Sequence, residues 1–328
     1  MMKRILCMLL LLVFLLSGCE GPEEAVIPEY VLTYAENQPE HYPTTVAAGK
    51  FASLVEARTN GKVVIQVRPG AEFGSEAEVL NQLYIGGVDF ARLSLSSVSD
   101  ELPVLNVLQL PYLYQDADHM WRVLDGQIGT DFLQLFSEIN LVGLSWYDAG
   151  ARCFYSNWPI SSVDDLSGKT VRVQDSQMMM DMVELLGAEP VTFAYSDVYA
   201  AFEIGKIDAA ENNWPAYQIQ SHYKLAGYYT VDEHTRVPEI QLASARTWNQ
   251  LPEEYRRIIL ECAHESAVYQ RKVWAEQETQ SRDNAIAQGC QEIILMPEEL
   301  TKFRELVQPL YERYCADHLE LIQAIQAG

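Results

Sequence analysis

Two arginines stand where an apolar or small residue would be expected. Arg172 interrupts Thr170-Val171-Arg172-Val173-Gln174, a run whose β-branched members suit a buried strand. Arg152 follows Tyr147-Asp148-Ala149-Gly150-Ala151, a stretch suited to a crossover between two lobes. A guanidinium is a planar fork of donors that grips a carboxylate through two parallel hydrogen bonds, a geometry that lysine does not reproduce. The alternative use of either side chain is an internal ion pair to Asp148 or Asp175.

Catalytic patterns do not accompany them. The chain has no Gly-x-Ser-x-Gly elbow, no zinc-binding His-Glu-x-x-His, no phosphate-cradling glycine loop and no Cys-x-x-Cys pair. His264-Glu265 lacks the second histidine, and three adjacent residues such as Asp232-Glu233-His234 rarely converge on one ion. Glu76 and Glu211 could be imagined as the two carboxyls of a sugar-cleaving enzyme. Glu76, however, falls in a helix first turn, where the helix dipole alone favours a carboxylate. The chemistry expected is therefore recognition, with no catalytic residue, no metal and no cofactor.

Composition narrows the partner. With 46 acidic against 23 basic residues the formal charge is −23, which argues against nucleic acid and leaves any anionic ligand dependent on a local basic pocket. The 328 residues suit two domains. Lys3 and Arg4 precede an apolar run, Ile5 to Leu16, too short to span a bilayer and typical of a signal-peptide core. Leu16-Ser17-Gly18-Cys19 resembles the bacterial lipobox, which implies a signal peptide over residues 1–18, lipidation of Cys19 and a tether over 19–27. No later stretch is long and apolar enough to cross a membrane, so the body is expected outside the cytoplasm, in the periplasm or at the cell surface. Cys153, Cys262, Cys290 and Cys315 then read as one or two disulfides or as buried thiols.

The elements that must position the arginines alternate between strand and helix, an α/β pattern. Tyr30 to Ala35 reads as a strand and Thr45 to Arg58 as a helix stopped at Asn60-Gly61. Val63 to Val67 reads as a second strand. Ser75 and Glu78 form a capping box that opens a helix through Ile85, ended by Gly86-Gly87. The plan recurs: Ile85-Gly86-Gly87-Val88-Asp89-Phe90-Ala91-Arg92 is echoed by Ile204-Gly205-Lys206-Ile207-Asp208-Ala209-Ala210-Glu211. Two lobes built alike would place Arg92 and Glu211-Asn212 at equivalent strand ends, where open α/β sheets bind ligands. From Pro252 to about Gln288 a helical period runs without proline or glycine and without heptads, a helix laid across both lobes.

Several of these strings together resemble the DctP-type substrate-binding proteins of TRAP (tripartite ATP-independent periplasmic) transporters. They are Phe73-Gly74-Ser75-Glu76, Leu110-Pro111-Tyr112-Leu113-Tyr114, Asp208-Ala209-Ala210-Glu211-Asn212 and the passage from Gly150 to Gln174. Ala209 stands where that family usually has glycine. The resemblance implies a two-lobed, periplasmic-binding-protein-like α/β fold, with one lobe over 28–149 plus 238–277 and the other over 150–237 plus 278–328. It also implies membrane permease subunits as partners. By motif position Arg172 would clamp a carboxylate, Arg152 would assist and Asn212 would be a polar partner on the facing strand end. Ala210 to Tyr217 and Tyr229 to Glu239 are similar to the branch that binds sugar acids such as glucuronate and galacturonate. On that reading Asn37, His41, Glu76, Arg92, Asn212 and Tyr217 are candidates to read hydroxyls, with Glu76 repelling a second carboxylate. A receptor for another organic acid such as a dicarboxylate, a sensory receptor, and a secreted hydrolase of uronate sugars are the competing readings.

The lipobox reading has a direct test. Cys19→Ala should release the protein from membranes or stop its maturation, because the thioether-linked lipid is the anchor. Unchanged partitioning of the variant into a detergent phase would refute it.

Overall fold

The computed structural model describes residues 27–328. Cys19 and the leader lie outside the described residues. Two sheets carry the fold. The first has the order β2-β1-β3-β10-β4, built from β1 (Tyr30–Ala35), β2 (Val63–Arg68), β3 (Phe90–Ser94), β4 (Leu141–Tyr147) and β10 (Glu239–Ser244). The second has the order β11-β9-β5-β8-β6-β7. Its members are β5 (Arg152–Ser156), β6 (Thr170–Val173), β7 (Glu189–Thr192), β8 (Ala209–Asn212), β9 (Tyr228–Thr235) and β11 (Gln291–Ile294). In each sheet one strand runs against its neighbours: β10 is antiparallel to β3 and β4, and β5 is antiparallel to β8 and β9. The chain passes between sheets at Tyr147 to Arg152 and again at Thr235 to Glu239, so the crossover expected before Arg152 is there.

The internal echo has a physical basis. Gly86 and Gly205 end their helices at φ +74° and +67°, left-handed values that glycine adopts without a Cβ penalty. Three residues on, Asp89 Oδ2 accepts from Thr33 N at 2.8 Å, and Asp208 Oδ2 accepts from Thr170 N at 2.9 Å. Each aspartate thus pins a neighbouring parallel strand in its own sheet, β1 within its run and β6 at its first residue. Ala209, the departure from the family glycine, is fully buried and does not have a positive φ, so a methyl group is accommodated.

The capping box forms as read. Ser75 Oγ accepts from Glu78 N while Ser75 N donates to Glu78 Oε2 at 2.7 Å. The long helix runs Glu253–Ala287, 35 residues or about 50 Å at 1.5 Å per residue. It packs on helix Pro43–Arg58 and β4 of the first lobe and on helix Trp214–Ile219 of the second. Its buried stripe, Tyr255, Ile259, Cys262, Ser266, Gln270 and Trp274, keeps the three- and four-residue spacing of one helical face. Gln270 clasps the crossover backbone, accepting from Asp148 N and donating to Asp148 O, both at 2.8 Å.

The four described cysteines are buried and unpaired, so the buried-thiol reading applies. The C-terminal helices reach both lobes. Tyr314 Oη donates to Asp181 in the second, while His119 Nε2 meets Ile325 O at 2.7 Å in the first. Among the described residues no helix is long and apolar enough to cross a membrane.

Trp274 sits where the long helix meets the first crossover, 1% exposed, with its ring 5.9 Å from that of Tyr42 and Ala149 alongside. Trp274→Ala should lower the urea-unfolding free energy by about 3–5 kcal/mol through lost burial and a cavity. A loss under about 1 kcal/mol would show that the long helix does not brace the crossover.

Candidate functional site

A cavity of about 270 Å³ opens between the sheets, near the lower end of small-molecule pockets. Its walls come from strand ends and the loops that follow them. Arg172 lies on β6, between β7 and β8, so its backbone is held from both sides. The side chain is buried. Nε and Nη2 donate to Phe193 O at 3.1 and 2.7 Å, whereas the buried Nη1 meets no partner. No carboxylate pairs with Arg172 among the described residues, so neither Asp148 nor Asp175 takes it. Burial pulls its pKa below the usual arginine value and Arg152 adds to that, against an opposing pull from Glu211. A buried cation that lines a cavity with its Nη1 unpartnered is the arrangement an incoming anion would relieve.

Arg152 is differently placed. Nε and Nη2 grip the Glu211 carboxylate, the second at 2.8 Å, and Nη1 reaches Asn212 Oδ1 at 3.3 Å. The sequence alternatives of Asp148 or Asp175 are thus replaced by Glu211, one strand away on β8. Glu211 is fully buried: desolvation would raise its pKa, but Arg152 and His234 hold it at about 2. His234 lies between Asp232 Oδ2 at 2.7 Å and Glu211 Oε2 at 3.4 Å. Burial disfavours its charge, yet the two carboxylates outweigh that and raise its pKa to about 9.

The first lobe's wall is acidic. Arg92 donates to Glu36, Glu76, Glu239 and Asn37, which engages all five N–H groups of its guanidinium. Asn37 Nδ2 in turn donates to Glu76 Oε1 at 3.0 Å. Across the cavity Tyr42 Oη donates to Asn213 Oδ1 at 3.2 Å, a direct link between lobes.

The structure therefore gathers Arg172, Arg152, Asn212, Glu76, Arg92 and Asn37 around one cavity and leaves two candidates out. His41 is exposed, because Tyr42 N bonds Pro39 O at 2.9 Å and the resulting turn projects its central residues to solvent. Its neighbour Tyr42 faces inward instead. Tyr217 is fully buried behind the sheet, ring to ring with Tyr155 and Tyr229, and its hydroxyl donates to Ala226 O at 2.7 Å. Glu36, Glu239 and Tyr195 line or support the site without having been singled out. Tyr195 Oη and Gln174 Oε1 are buried beside the cavity with no partner. An acid directly before Asn37 and another opening the strand after Val237-Pro238 were the only local signals.

Two α/β lobes joined by short crossovers, with an unpaired cation in the cleft between them, define a two-lobed receptor for a small anion. Residues 34–317 match DctP, the bacterial extracellular solute-binding protein family 7, and the chain belongs to that family. It is a solute-binding protein of a TRAP transporter, a class that works with membrane permease subunits and is not enzymatic. A TRAP periplasmic solute-binding protein from Xanthobacter autotrophicus Py2, solved with bound β-D-galacturonate, is 35% identical at a TM-score of 0.88, over 90% of this chain and 99% of the other. One from Pseudomonas putida F1 with bound D-glucuronate is 32% identical at 0.89, over 91% and 97%. One from Shewanella oneidensis with bound succinate is 26% identical at 0.87, over 92% and 99%.

The His234 arrangement predicts a pH dependence. Its folded pKa of about 9 exceeds the ordinary 6.5, so its stabilisation is complete below about pH 6.5 and is lost as pH rises through 9. The loss should approach about 3 kcal/mol in urea titrations, and His234→Gln should remove that slope. Parallel profiles for parent and variant would overturn the assignment.

Proposed function

We propose that this protein captures a hexuronate, such as glucuronate or galacturonate, and delivers it to a TRAP permease. The observation that carries the reading is the unpartnered Nη1 of Arg172 at the cavity wall. A ligand carboxylate supplies the counter-charge that no residue of the pocket provides, and lobe closure excludes water around the pair. Arg152, already neutralised by Glu211, assists through its orientation of Asn212 rather than as a second clamp. Around the rest of the ligand, Asn212, Tyr195 and Gln174 from one lobe and Asn37 and Glu239 from the other supply mixed donors and acceptors suited to a ring of hydroxyls. The acidic group around Arg92 suits hydroxyl donors and opposes a second carboxylate, which favours uronates over C4-dicarboxylates. The Xanthobacter and Pseudomonas relatives with bound uronates support the same choice. Cys19 would carry the lipid that tethers the receptor to the membrane, at the periplasmic face or cell surface.

A thermal-shift panel tests the ligand class. Glucuronate or galacturonate should raise the melting temperature while succinate, malate and pyruvate leave it unchanged. Stabilisation by dicarboxylates together with silence for every uronate would refute the assignment. Arg172→Ala should weaken binding several hundredfold or more, since removing one partner of a buried charge pair costs about 3–5 kcal/mol. Arg172→Lys should recover only part. Parent-like calorimetric affinity in Arg172→Ala would show that Arg172 is structural.

A further inference from the structure

The acidic wall is not uniform. Glu76, the sequence candidate for repelling a second carboxylate, is saturated. Its Oε1 accepts from Arg92 Nη1 at 2.8 Å and Asn37 Nδ2 at 3.0 Å, and its Oε2 accepts from Ser94 N at 3.3 Å and from Ser97 Oγ. Glu36 is held by Arg92 and by Gln38 N at 3.0 Å. Glu239 differs. Arg92 Nη1 donates to its Oε2 at 2.7 Å, and among the described residues no donor reaches Oε1. The side chain is 11% exposed and lines the cavity.

Resting on the hexuronate reading, we propose that Glu239 is the specificity-determining residue that rejects a second carboxylate, so that the receptor takes uronates and excludes the corresponding aldaric acids. A uronate presents only hydroxyls away from its single carboxylate, and a hydroxyl donates to an acceptor-only oxygen. An aldaric acid of the same carbon chain brings a second anion instead. That anion finds no N–H of Arg92 available, because all are engaged, and it meets three carboxylates around one guanidinium. Like charges in a cleft that closes away from water repel far more strongly than in solution. The crowding is felt by Glu239 itself. Burial raises its pKa, Arg92 lowers it and Glu76 and Glu36 raise it again, for a value of about 7. The carboxylates face it from the loop after β1 and from helix Glu76–Ile85, and Arg92 faces it from β3. Position follows from the fold: Glu239 opens β10, paired with Ser94 on one side and Tyr147 on the other, which fixes its backbone at the cavity rim.

The test is calorimetric titration at pH 8 with D-glucuronate and D-galacturonate against D-glucarate and galactarate. The parent should prefer the uronates at least 100-fold. Glu239→Gln should narrow that preference at least tenfold by binding the aldaric acids more tightly than the parent does. An unchanged preference in the variant, or a narrowing that comes only from lost uronate affinity, would overturn the proposal. Should the variant fail to fold, the parent decides alone: aldaric acids bound within tenfold of uronates would equally overturn it. A parent that binds no uronate at all would remove the hexuronate reading itself, and this inference with it. A parent that binds uronates without discrimination would remove only the role of Glu239.

Discussion

A charge buried without a counter-charge is costly, and the architecture around Arg172 is organised to tolerate one. Its strand is interior to the second sheet, its Nε and Nη2 donate to the Phe193 carbonyl, and its Nη1 is unpartnered on a side chain that lines the cavity. The carbonyl lessens the desolvation penalty without cancelling the charge. Nearby groups avoid competing for it. His222, close enough to feel the guanidinium, has its pKa lowered to about 3 by burial and by Arg172, and stays neutral. Glu211, whose charge Arg172 feels, is committed to Arg152 and His234. The chain Arg152–Glu211–His234–Asp232 therefore has a consequence beyond stability. It leaves Arg172 as the electropositive point of its wall.

The two lobes use one plan with opposite electrostatics. Arg92 and Glu211 occupy equivalent positions, three residues beyond Asp89 and Asp208, and each is gripped by groups of opposite sign. In the first lobe one guanidinium gathers three carboxylates. In the second one carboxylate gathers an arginine and a histidine. The cleft thus has an acidic wall facing a wall with an open cation. On the proposed reading that polarity orients a ligand charged at one end and hydroxylated elsewhere. A repeat that keeps its backbone anchors while inverting side-chain charge creates such a site with the strand pairing of both sheets in place.

Much of this was legible along the chain because it is local. The capping box at Ser75, the glycine stops, the long helix and the repeated strand ends are all set by residues within a few positions of one another. Arg172 stood out because a guanidinium in a strand demands an explanation. The misreadings are of two physical kinds. Turn phase decided between His41 and Tyr42: one hydrogen bond to Pro39 O sends the first outward and the second inward. Helix phase decided Tyr217, whose face of a short helix turns to the aromatic core. What was missed is non-local. The partnership of Arg152 with Glu211, separated by 59 residues, and the convergence of Glu36, Glu76 and Glu239 on Arg92 depend on strand order, which spacing does not encode.

The overall charge sharpens the role of that polarity. A chain at −23 repels anions at long range, so electrostatic steering of the kind that speeds oppositely charged partners is absent. At 0.15 M ionic strength the field is screened within about 8 Å, and the local groups decide. Capture of a carboxylate by this protein must then rest on short-range, directional contacts made after entry. That places the burden on donors already held in position: Arg172 by its strand and the Phe193 carbonyl, and Asn212 by its hydrogen bonds with Arg152 and Asn213 N. Preorganised donors lose little freedom when they bind, which is how a small cavity can hold a strongly hydrated ligand. The fixing of these donors within their own lobe is thus a requirement of recognition in an acidic protein as well as a matter of stability.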